Sequence, residues 1–158
     1  MDEQRLRGLV SQAVSQYKRS RAGSMTLKLA MALAERVKAR ATELGVKAVV
    51  CVSDAGGHPI LVERMDDAYI ASYDIAVGKA FTSVALKMAT ATLAPLAAPG
   101  GSLYGIQFTN GGKIVIFGGG EPLANADGVI IGGLGVSGGT EEQDTALARF
   151  GREVFASL

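Results

Sequence analysis

The sequence predicts an α+β domain with a mostly antiparallel sheet of about five strands. Apolar residues recur at helical spacing in four stretches, and two glycine-rich turns sit between short apolar runs, as in hairpins. Strands and helices do not alternate regularly, which excludes a βαβ architecture. The predicted order is α-α-β-β-α-β-β-β-α.

The first stretch, 2–19, carries Leu6, Leu9, Val10, Ala13, Val14 and Tyr17 at a helical period, opposite Arg5, Arg7, Gln12, Ser15 and Gln16. Residues 18–24 (Lys-Arg-Ser-Arg-Ala-Gly-Ser) then break the stripe and read as a linker. Residues 1–24 hold five basic and two acidic residues, against eleven and thirteen in the remainder. The sequence therefore divides into an amphipathic helix with its linker, 1–24, and a domain, 25–158.

Ser24 is the candidate N-cap of a second helix, whose inner face is Ala30, Leu33, Ala34, Val37, Ala41 and Leu44. Gly45 suits the left-handed position that ends it. The β-branched run 47–53, the turn 54–59 and the run 60–64 predict a hairpin. A third helix spans 67–88, with small residues such as Ala68, Ala71, Ser72, Ala76 and Ala80 on one side, a surface that lets another backbone or a flat ligand come close. Residues 90–102, with Pro95 and Pro99, read as irregular. A second hairpin is expected from 105–109 and 113–117 around Asn110-Gly111-Gly112, then a loop over 118–122 and a last strand over 128–134. Thr140 caps a final helix to about Ala156.

Composition sets outer bounds. The 158 residues are 48% apolar and 20% charged with net charge +1, enough for one cored domain and too balanced for a nucleic-acid binder. One Cys excludes an internal disulfide, and with one His there is no ordinary zinc site. No run approaches the ~18 apolar residues of a membrane span. No signal-peptide pattern opens the chain, so a soluble cytoplasmic protein is the expectation.

Gly133-Leu134-Gly135-Val136-Ser137-Gly138 matches the dinucleotide fingerprint G-x-G-x-x-G. Its context fails. Only twenty residues follow, so no second parallel strand can end in a ribose-binding acid. Glu141, Glu142 and Asp144 already complement the helix start and would repel a pyrophosphate. Thr140 and Gln143 make a capping box there instead.

A spaced series of motifs carries more. It runs Val52-Ser53-Asp54-Ala55-Gly56-Gly57-His58, Arg64-Met65-Asp66, Ile75-Ala76-x-x-Lys79-Ala80-x-Thr82, Gly119-Gly120-x-Pro122 and Gly133-x-Gly135-Val136-Ser137-Gly138-Gly139. In this order it resembles the GlcG/HbpS family, which includes the C-terminal domain of PduO-type proteins, from about Met25 to Leu158. The resemblance implies a profilin-like three-layer α/β/α sandwich assembled into homo-oligomers, and haem or a related tetrapyrrole, a corrinoid among them, as ligand. It points to cobalamin-dependent metabolism in bacterial microcompartments. The adenosyltransferase activity of PduO-type proteins belongs to another domain and is not carried over. Residues 1–24 also resemble the amphipathic peptides that dock cargo to microcompartment shells. A helix packed on its own domain is the alternative.

His58, in a glycine-rich turn, is the only imidazole and the candidate haem-iron ligand; the plain alternative is a turn residue. In the family a ligating His is expected on the helix that starts the domain, and 25–44 has none. Met31, Met65 and Met88 are thioether alternatives or core filler. Arg64, Asp66 and Lys79 are candidates to grip carboxylates, against a structural role in Arg64–Asp66 or Lys79–Asp74 ion pairs. Asp54 is read as a turn stabiliser, Cys51 as a buried inert thiol, and Ser137 and Gly138 as lining a pocket or a subunit contact. A microcompartment scaffold and an enzyme acting on a small acid or aldehyde through Arg64, Lys79 and Asp66 remain as further readings. No titratable pair forms a clear acid/base set.

Overall fold

The computed structural model describes the backbone of residues 2–21 and 23–158, and the side chains of 2–16 and 23–158. The elements are α1 (Glu3–Arg21), α2 (Leu27–Glu43), β1 (Val49–Asp54), β2 (Pro59–Arg64), α3 (Ala71–Ala85), α4 (Thr90–Ala97), β3 (Gly120–Ala124), β4 (Ile130–Ser137) and α5 (Glu141–Phe155). The sheet has four strands in the order β2-β1-β4-β3, every pair antiparallel.

Period-2 alternation sorts the central strands into two faces. Val50, Val52, Leu134 and Val136 point to one side, where Leu33, Val37 and Ala41 of α2 and Leu147 and Phe155 of α5 complete the main core. Val49 and Cys51 point to the other, against Ala76 and Ala80 of α3. A third cluster of Leu93, Ala97 and Ile114 lies beneath α4. The result is the three-layer α/β/α sandwich.

β4 has glycine at the positions that face α3. A Cβ at Gly133 would lie 2.8 Å from Val84 Cγ2, and one at Gly135 would lie 2.7 Å from the Ala80 nitrogen and closer still to the Ala76 carbonyl oxygen. Glycine here lets a helix backbone rest directly on a strand backbone. Ala76 and Ala80 of the small-residue side of α3 are thus spent inside the domain, on β4.

The expected elements move at several points. α2 starts at Leu27, so Thr26 rather than Ser24 reaches the third helical residue and accepts from Leu29 N at 3.2 Å. α3 is shorter than 67–88 because Asp67 and Lys87 sit at φ of +62° and +53°, outside helical space. Residues 90–97 form α4 despite Pro95, because Leu93 and Ala97 are buried and offset the missing hydrogen bond.

The second hairpin is absent. Asn110, Gly111 and Gly112 all have positive φ and wind the chain into 3₁₀ turns at Ile106–Phe108 and Asn110–Gly112. Residues 113–117 lie against α3, where Val115 N donates to Thr82 Oγ1 at 2.9 Å. The expected loop 118–122 instead contributes β3. It is an edge strand, so Pro122 is tolerated there opposite Gly133. These changes leave four strands where about five were expected.

Leu6, Leu9, Val10 and Val14 of α1 are each about half exposed. Their stripe faces solvent. The Tyr17 side chain lies outside the described residues. Helix continues to Arg21, through most of the expected linker, and Ala22 lies outside the described residues.

Candidate functional site

The β1–β2 turn is built around Asp54. Its Oδ1 accepts from Gly56 N at 2.8 Å and His58 N at 3.0 Å, and Gly57 takes the left-handed conformation at φ +77°. This holds His58 at the tip with its side chain 82% exposed. Asp54 Oδ1 also stands 3.5 Å from His58 Nδ1, which leaves Nε2 as the outward nitrogen.

Beneath the turn is a cleft of about 320 Å³, within the range of small-molecule sites. His58 and Gly57 form one lip. Asp74, Val77 and Phe81 of α3 form a wall, and Lys113 and Val115 close the far side. Two glycines make this shape. A Cβ at Gly57 would meet Phe81 Cδ2 at 2.8 Å, and one at Gly78 would meet Val115 Cγ2 at 2.7 Å. The Lys113 ammonium lies 5.5 Å from the Phe81 ring centre.

The other sequence candidates are dispersed. Arg64 and Asp66 border a wide, charged groove between α2 and β2 together with Glu35, Lys38 and Glu63. No Arg64–Asp66 ion pair is present among the described residues. Lys38 bridges Glu35 and Glu63 at 2.7 and 2.6 Å, which raises its pKa. Gly138 borders a third depression, and its backbone presses on Lys47 and Ala48, where a Cβ would fall 2.9 Å from Ala48 Cα. Ser137 is buried and bonded to Ser72 across 3.1 Å.

Lys79 is fully buried. Its ammonium donates to Asp144 Oδ2 at 2.9 Å and Val136 O at 2.8 Å, and lies 4.7 Å from the Phe117 ring centre. The partner is Asp144, not Asp74. Burial pushes the lysine pKa down, opposed by Asp144. Asp144 Oδ1 accepts from Gly139 N, so the pair ties α3, β4 and the start of α5 together. Cys51 is buried, its thiol pushed up to about 12. Met31 is half exposed, Met65 packs at the core edge and Met88 under α4; none lines the cleft.

Phe81 and Lys113 were missed as site residues. Lys113 falls on an expected strand, and the sequence feature behind the turn that brings it to α3 is Asn110-Gly111-Gly112, whose residues take the positive φ values the turn needs.

A three-layer sandwich with a mostly apolar cleft and an imidazole on its lip has the form of a small ligand-binding domain. The chain belongs to the family described as haem degrading protein HbpS-like, whose profile matches residues 25–153. It is 45% identical over 135 residues to an uncharacterised 15.0 kDa protein of the dhaT–dhaS intergenic region of Citrobacter freundii, covering 85% of this chain and 94% of that one. It is 46% identical over 110 residues to the corrinoid adenosyltransferase PduO of Salmonella typhimurium, covering 70% of this chain but 32% of that protein. A solved PduOC:heme complex superposes with a TM-score of 0.78 at 40% identity, covering 82% of this chain and 94% of that one.

Proposed function

We propose that this chain is an accessory protein that binds haem in the cleft beside His58. The observation that carries the reading is the His58 imidazole, held on the lip of a mostly apolar cleft with a carboxylate behind Nδ1. One imidazole is enough for this ligand, because the macrocycle brings the equatorial donors with it. Val77, Phe81 and Val115 offer a flat ring an apolar seat. The cleft suits insertion of a ring edge rather than enclosure. The 40%-identical PduOC:heme complex supports the ligand class. A corrinoid is the secondary candidate, supported by the names of relatives of which this chain covers about a third.

The test is a haem titration of wild type and His58→Ala, followed at the Soret band. Wild type should bind with the spectrum of an imidazole-ligated haem, and His58→Ala should lose that signature. Unchanged binding by the variant would remove His58 from the role, and no binding by either would remove the haem reading.

A second reading concerns α1, whose exposed stripe lies outside the family match. Residues 1–24 act here as a docking helix for a microcompartment shell or its cargo, in a cytoplasmic homo-oligomer or the compartment lumen. Tyr69, Ile70 and Phe108, each more than 70% exposed, are the apolar surface available for self-association. Fusing residues 1–24 to a fluorescent protein tests the docking. Diffuse fluorescence in cells that make shells would exclude it.

A further inference from the structure

We infer that Lys113 is the anion-recognition residue of the His58 cleft, so that the cleft selects flat aromatic ligands bearing a carboxylate. The inference rests on the cleft reading above but not on iron coordination.

The first ground is that the Lys113 ammonium is uncommitted. Among the described residues it has no ion pair and no side-chain hydrogen bond, in contrast to Lys38, Lys47 and Lys79. Its one close partner is the Phe81 ring, 5.5 Å away at the centroid, in the cleft wall. An ammonium above a ring face at the mouth of an apolar cleft offers one charged and one flat contact side by side. Because the ammonium stands over the Phe81 ring, a planar ligand seated edge-in between Val77, Phe81 and Val115 would meet Lys113 with an edge carboxylate.

The second ground is that the arrangement is built. Lys113 reaches α3 only because Gly78 has no side chain. A Cβ there would stand 3.1 Å from the Lys113 carbonyl oxygen and 2.7 Å from Val115 Cγ2. Thr82 fixes the same segment by accepting from Val115 N at 2.9 Å. Two residues of α3 thus hold the backbone that carries Lys113 in place.

The third ground is the cleft's charge pattern. Asp74 lines the same cleft and has no ion pair among the described residues. It disfavours a carboxylate near its end of α3 and leaves Lys113 as the favourable end. Arg64 lies on a different groove and Lys79 is sealed against Asp144, so neither competes for a ligand here.

The experiment uses the full chain and metal-free protoporphyrin IX, which has two carboxylates and no iron, against its dimethyl ester. Wild type should bind the free acid about fivefold more tightly than the ester, the scale of a partly exposed charge pair. The preference should shrink in high salt. Lys113→Met should erase it, Lys113→Arg should keep it, and Asp74→Asn should keep or increase it. Equal affinity for acid and ester in wild type would overturn the inference, as would a preference that survives Lys113→Met. Binding of neither porphyrin would also overturn it. The haem reading is judged separately, because an imidazole-ligated Soret band would persist if only the carboxylate contact were wrong.

Discussion

At Gly135 the strand and helix backbones leave no room for a side chain. Gly135→Ala forces a methyl onto main-chain atoms of Ala76 and Ala80, which cannot rotate away. Overpacking of this kind costs about 3 kcal/mol. Chemical denaturation should show that loss with the sheet otherwise intact. Gly8→Ala is the control. It lies in α1 with nothing within 4 Å, and should raise helicity slightly, by about 1 kcal/mol of local propensity. Glu121 supplies a pH prediction. It is 2% exposed on β3, and burial raises its carboxyl above the ordinary 4.5, although Arg152 at 3.0 Å opposes this. The folded state therefore holds this proton more tightly than the unfolded chain. The Glu121 contribution to stability should fall as pH rises through the window just above 4.5. Glu121→Gln should flatten that part of a stability–pH curve measured by urea unfolding.

Between elements, the buried Lys79–Asp144 pair joins α3 to the start of α5. Lys79→Met leaves Asp144 buried without its counter-ion and should cost about 3–5 kcal/mol. Adding Asp144→Asn removes the stranded charge and should restore part of that loss, a coupling that a double-mutant cycle measures directly. Elements with a local signal were legible in the sequence. The Thr140–Gln143 capping box forms, with contacts of 3.2 and 2.9 Å, and the buried face of α2 holds Ala30, Leu33, Ala34, Val37 and Ala41. The strand identity of 120–124 depends on β4 beside it, not on its own Gly-Glu-Pro-Leu-Ala, so pattern alone could not show it. Segment 113–117 has strand-like residues but spends a backbone donor on Thr82. For the site, His58 was legible because it is unique. Lys113 was not, because its importance arises from a contact with α3 made across thirty residues of chain.

For the whole molecule, the main question is whether α1 belongs to the fold. If its stripe covered the domain, a few hundred Å² of apolar surface would be worth several kcal/mol at ~25 cal/mol per Å². Leu6, Leu9, Val10 and Val14 are instead about half exposed, while Met25 just beyond the boundary is buried in the core. Removing residues 1–24 should leave the calorimetric melting transition nearly unchanged, and Leu9→Glu in the full chain should do the same. A drop of several kcal/mol in either variant would show that α1 packs on the domain. No single helix among the described residues is long and apolar enough to cross a membrane.

The contact between α3 and β4 has a consequence for the cleft. The helix that rests Ala76 and Ala80 on the glycines of β4 also carries Asp74, Val77 and Phe81 in the cleft wall. A wall fixed to the centre of the sheet cannot open by itself. Its amides facing β4 should be among the slowest in the chain to exchange with deuterium, released only when the whole domain unfolds. A ligand would then slow that exchange through mass action on global unfolding and nothing local.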